Sequence, residues 1–237
     1  QPPFPKTGPQ RDEIFLAYER RIQAQTNRMF AWLLLLQWIF ALGIALVWSP
    51  RAWAGDQSTI HPHLIAAVFL GGLLTVPPMV LIRLQPFHVA TRHAVAFTQV
   101  SFSALLIHLT GGRIETHFHV FGSLAFLTLY RDWRVLITAT AVVTLDHLLR
   151  GIWFPVSVYG VPYAATWRTI EHALWVVFED VVLVWGCLAA RRDMAEICDR
   201  EDQNRQLLDK LEQRVRERTS ALENEIAARE RTAQDLG

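Results

Sequence analysis

Apolar residues fall in blocks of about 17–22, the length a helix needs to cross ~30 Å of hydrocarbon. Six blocks follow one another: Met29–Trp48, His63–Ile82, His93–Leu109, Ile114–Tyr130, Trp133–Arg150 and His172–Ala190. Pro77 and Pro78 should kink the second or end it early. Thr110-Gly111-Gly112-Arg113 reads as a tight turn between the third and fourth. Ahead of the first block, residues 11–28 place Ile14, Phe15, Tyr18 and Ile22 among charged residues, as an amphipathic helix leading into the membrane would.

After residue 190 the pattern changes. Residues 191–237 are charge-dense and lack Pro, and Met194, Ile197, Leu208, Leu211, Val215 and Leu222 follow a heptad seam. Glu201, Asn204 and Arg218 interrupt the seam, and Ile226, four after Leu222, suggests a stutter. The fold expected is all-α. Residues 1–28 form a cytoplasmic segment, 29–190 a six-helix transmembrane bundle, and 191–237 a parallel homodimeric coiled coil. The last helix looks unfinished at Gly237, as in a stretch of a longer protein.

Basic residues set the orientation. Lys6, Arg11, Arg20, Arg21, Arg28, Arg83, Arg92, Arg131, Arg134, Arg191 and Arg192 lie on one side. Arg51, Arg113, Arg150 and Arg168 lie on the other. Both termini are therefore expected in the cytoplasm. Composition adds little: of 237 residues 51% are hydrophobic, the nine Trp suit membrane interfaces, and the net charge of +1 gives no argument for nucleic acid. The two cysteines, Cys187 and Cys198, make no CxxC pair.

That topology gathers ionisable residues on the outer side. His108 ends the third block, Glu115, His117 and His119 begin the fourth, Asp146 and His147 lie near the end of the fifth, and Glu171 and His172 begin the sixth. Glu115 and His119 share a helix face while His117 points elsewhere. Glu179, two turns beyond His172, lies ~10 Å deeper, with Asp180 beside it. Carboxylates at such depth need partners. The expected metal set is His108, Glu115, His119, His147, His172 and Glu179. His117, Asp146, Glu171 and Asp180 stand as second-shell groups or alternative ligands. Imidazole with carboxylate suits iron, copper, zinc or nickel, as a single or dinuclear centre. Haem b is the alternative, because two facing histidines suffice as axial ligands, although the surplus of carboxylates speaks against it. His61, His63, His88 and His93 read as interfacial or hydrogen-bonded residues.

HLTGGRIETHFHVFGSLAFLTLY (108–130), RDWRVL, LDHLLRGIWFP, SVYG and EHALWVVFED resemble the N-terminal membrane input domain of bacterial sensor histidine kinases. LEQRVRERTSALENEIAARERTAQDL resembles the signalling helix that precedes their output domains. The resemblance covers most of residues 11–190. It implies a homodimeric inner-membrane sensor acting on a kinase core and a response regulator, and it supplies no ligand. Neither GxGxxG nor GxxxxGK[ST] occurs, so this chain has no phosphate loop of its own. Two other functions fit the pattern less well. A membrane metal-dependent oxidoreductase would carry more HxxxH and HxxHH motifs, on the cytoplasmic side. A metal transporter would need a polar path that His93, Gln99 and Ser101 hardly supply.

Overall fold

The structure, a computed structural model, describes residues 9–235. Lys6, the Pro-rich start and Gly237 lie outside the described residues. The chain is all-α apart from one short hairpin. In order, it forms α1 (Pro9–Trp48), β1 (Arg51–Ala54), β2 (Gln57–Ile60), α2 (Pro62–Leu84), α3 (Val89–Leu109), α4 (Ile114–Leu127), a 3-10 turn (Thr128–Tyr130), α5 (Trp133–Trp153), α6 (Val156–Tyr159) and α7 (Trp167–Asp235). Each expected span falls on a helix. Among the described residues, however, only the helices over Arg11–Trp48, Pro62–Leu84, Trp133–Trp153 and Trp167–Arg229 are long and apolar enough to cross a membrane. The other two fall short for physical reasons. The 14 residues of α4 extend only ~21 Å, and α3 carries Arg92, His93, Gln99 and Ser103.

Three features depart from the sequence reading. The amphipathic segment and the first span are one helix, α1. Of the kink or early end expected at Pro77 and Pro78, the early end does not occur, since α2 continues through both to Leu84. The antiparallel hairpin, with Arg51 opposite Ile60 and Ala54 opposite Gln57, was not anticipated. Its Gly55 takes φ +65°, as the first position of a two-residue hairpin loop often requires.

By contact the chain divides into two units. In the larger, Glu19–Arg191, α3 is the central helix, and α2, α4, α5 and α6 all pack on it. One core cluster joins Phe30, Val100, Leu124, Leu136 and Val176, and a second joins Leu34, Ala41, Phe102 and Leu106. Phe30 stacks on Tyr130 with ring centres 5.5 Å apart. The Tyr130 hydroxyl donates to Asn27 Oδ1 at 2.7 Å, and Asn27 Nδ2 donates to the Pro86 carbonyl at 2.7 Å. Tyr130→Phe keeps the stack and strands the buried Asn27 oxygen, so it should cost about 1–3 kcal/mol. Thermal unfolding in detergent measures this, and an unchanged midpoint would mean water already serves Asn27.

Among the described residues, the smaller unit comprises those up to Tyr18 together with those from Arg192 onward. In it Ile14, Met194, Ala195 and Cys198 are buried, and Arg11 Nε donates to Asp199 Oδ1 at 2.7 Å. Further along α7, Leu208, Leu211, Val215, Leu222 and Ile226 are all more than half exposed. Of the heptad seam, Met194 is thus covered within the chain, while Ile197 is 49% exposed and the rest stands open.

Candidate functional site

The turn after α3 builds the site end of the larger unit. The amides of Gly111 and Gly112 donate to the carbonyls of His108 (3.0 Å) and Ile107 (2.9 Å), the paired bonds of a Schellman cap. Gly111 takes φ +71° and Gly112 φ +76°. The chain therefore reverses tightly, and α4 starts beside the end of α3.

Three histidines from three helices meet here. His117 of α4 lies 5.5 Å, ring centre to ring centre, from both His147 of α5 and His172 of α7. His147 and His172 are 5.8 Å apart, and Tyr159 of α6 sits 5.4 Å from His172. All three are anchored alike. Nδ1 of His117 bonds the Arg113 carbonyl at 2.9 Å, that of His147 the Val143 carbonyl at 3.1 Å, and that of His172 the Arg168 carbonyl at 2.8 Å. A carbonyl oxygen only accepts, so Nδ1 carries the proton in each ring and Nε2 keeps a lone pair. Nε2 of His117 is buried without a hydrogen-bond partner. Asp146 Oδ2 stands 3.4 Å from His147 Nδ1. The trio lines a cavity of about 660 Å³ whose other walls include Phe118, Phe121, Trp167 and Trp175.

The structure divides the expected ligand set. His147 and His172 come together, joined by His117, which the sequence had ranked as an alternative. His119 points into the bundle, where Nδ1 contacts Ser103 Oγ at 2.8 Å and Nε2 contacts Gln37 Nε2 at 3.1 Å. Glu115 is exposed and pairs with Arg113 at 3.3 Å. His108 bonds Ser157 Oγ at 2.8 Å, and its ring lies 4.9 Å from that of His63. Glu179 and Asp180 lie deeper on α7. Thr140 of α5 hydrogen-bonds Asp180, while Glu179 Oε2 and Asp180 Oδ1 are buried without partners. Glu171 is exposed at the cavity wall. Asp146 is held by Arg150 through bonds of 2.7 and 2.5 Å, and Arg150 also donates to Ser157 at 2.8 Å.

The four remaining histidines each make a hydrogen bond. His61 and His88 cap α2 and α3, His63 bonds Ser49 at 3.2 Å, and His93 bonds Thr138 at 2.8 Å. Sequence reasoning missed the polar residues that sort the histidines: Gln37, Ser103, Arg150 and Ser157. Among the described residues, no group of three or more His, Cys, Asp and Glu stands so arranged as to hold a metal ion. No protein-family model, curated protein or solved structure matches the chain.

Proposed function

We propose that the chain is the membrane-embedded input domain of a signalling protein, sensing at the histidine-lined cavity and passing the signal through α7 to a dimeric stalk. The observation that carries this reading is that one helix, α7, holds both His172 and the open heptad seam. A ligand that pulls His172 toward His117 and His147 turns or slides α7, a small helix shift of the kind that drives two-state switches. The charge asymmetry of the loops favours an inner-membrane protein with the cavity at the periplasmic side and the stalk in the cytoplasm. A transition metal or metallocofactor is the ligand class best matched to three neutral imidazoles. The resemblance to sensor histidine kinases supplies the output, a kinase core acting on a response regulator. An oxidoreductase reading has no use for the stalk.

The exposed seam calls for a second copy as partner. Leucine and valine at the a and d positions favour a parallel pair, and a solvated helix with this stripe open is marginal alone. Leu211→Asp combined with Val215→Asp should convert a dimer in lipid nanodiscs to a monomer, read by light scattering. A monomeric unsubstituted protein would sink the dimer. The signalling step is read by spin labels at Gln213→Cys. Cys187 and Cys198 are both buried, and burial pushes the Cys198 thiol above its ordinary range, so the introduced thiol labels first. A label–label distance that changes when the cavity is filled supports the reading; an invariant distance under every ligand tried removes it.

A further inference from the structure

We infer that His117, His147 and His172 form one binding site for a divalent transition-metal ion, ligated by their three Nε2 atoms, with a fourth position left open to the cavity. The inference rests on the sensing role proposed above for its purpose, and on the trio's geometry for its chemistry.

Three observations converge. The first is tautomeric. Each ring gives its Nδ1 proton to a backbone carbonyl four residues earlier. Fixing Nδ1–H on an outer carbonyl or carboxylate is how proteins prepare Nε2 to bind a metal. Three separate helices make the same choice at one place. The second is the cost of the present arrangement. Nε2 of His117 is enclosed with no hydrogen-bond partner from the protein, and two more imidazoles stand within 5.5 Å of its ring. An acceptor so placed lacks a cation or a proton. The third is spacing. Three imidazoles on a tetrahedral ion at 2.0–2.1 Å from each nitrogen have ring centres about 5 Å apart. The observed 5.5–5.8 Å therefore describes a trio that must close by about half an ångström. The site is thus not prearranged. Closing it requires the rings on α4, α5 and α7 all to approach, the longest gap being that between His147 and His172.

Three protein nitrogens leave a fourth position, the pattern of sites whose metal keeps an exchangeable ligand. Here that position opens on a cavity walled by aromatic and aliphatic residues, with Arg168 and Glu171 at its wall. Three neutral imidazoles leave the ion's double charge uncompensated, so the fourth ligand is an anionic donor: hydroxide, chloride or a carboxylate from outside the chain. The second group of histidines does not form a like site. Nδ1 of His61 accepts the His63 amide, so its Nε2 carries the proton. His61 and His63 therefore serve as controls.

The test uses the whole chain in nanodiscs with Zn²⁺ as the probe. One zinc per chain should bind, and His117→Ala, His147→Ala and His172→Ala should each weaken binding by more than the roughly 10–100-fold that loss of an outer hydrogen-bond partner costs. His61→Ala with His63→Ala should leave it intact. X-ray absorption on the zinc-loaded unsubstituted protein should count three imidazoles, which protects the test against variants that misfold. No zinc bound, or a zinc with fewer than three imidazoles, overturns the site. No zinc bound by a chain whose stalk distance still responds to some other stimulus overturns the site and leaves the sensor standing. Zinc on three imidazoles with an unmoved stalk overturns the sensor and leaves the site.

Discussion

Gly112→Ala is expected to destabilise the larger unit by about 3–5 kcal/mol, while Gly111→Ala, one residue away, should cost only about 1–2 kcal/mol. Both glycines hold a positive φ, +71° and +76°. An L-residue there meets its own carbonyl, which accounts for the smaller figure. The difference is what a new Cβ would meet. At Gly111 nothing lies within 4 Å. At Gly112 the Cβ would stand 2.2 Å from Gly160 N and 2.9 Å from both Tyr159 N and Val158 C. These are backbone atoms, so no side chain can swing away, and α6 must move as a body. That displacement carries Ser157 off His108 and Tyr159 off His172, and it loosens the cavity floor. Thermal unfolding of the two variants in the same detergent gives the comparison. Equal losses would mean that α6 is loosely held and that the turn alone sets the cost.

The contrast also shows what could be read from the chain. The GG turn was legible because glycine pairs after an apolar block end helices in a recognisable way. The helices were legible for the same kind of reason, since long apolar runs have few alternatives. What was not legible was which face of each run meets another helix. A membrane helix is apolar toward lipid and toward its neighbours, so periodicity gives little contrast. Buried His117, Val120, Leu124 and Leu127 form the inner face of α4, yet Phe118, Phe121 and Phe126 are equally apolar. Spacing correctly separated His117 from Glu115 and His119. It gave no means of telling which of the two faces pointed at α5 and α7, and the carboxylate at Glu115 drew the choice to the wrong one. The hairpin was missed because strands of four residues fall below any periodic signal, leaving only Gly55-Asp56 to mark it.

Asp132→Ala should have an effect as large, at the opposite end of the same helix bundle. Asp132 does two jobs. Its Oδ1 accepts the Arg134 amide at 3.2 Å and caps α5, and its Oδ2 stands 3.0 Å from Arg92 Nε of α3. The carboxylate is nearly enclosed, at 7% exposure, and the guanidinium at 14%. Removing one member of a buried ion pair strands the other charge, which costs about 3–5 kcal/mol, more than the pair itself contributes. The loss of the cap alone is about 1 kcal/mol. The two jobs separate by substitution. Asp132→Asn keeps an oxygen for the Arg134 amide and strands Arg92. Arg92→Met keeps the apolar stem and strands Asp132. Each should be costly alone, and the double variant Asp132→Asn/Arg92→Met, with no charge left buried, should recover much of the loss. A coupling of 1 kcal/mol or more in that cycle, on the order seen for residues in one ionic network, locates the energy in desolvated charge. Small losses in both single variants, with Asp132→Ala still costly, would locate it in the cap. They would also mean that α3 and α5 are held together here by the apolar contacts of Val95, Val135 and Leu136 alone.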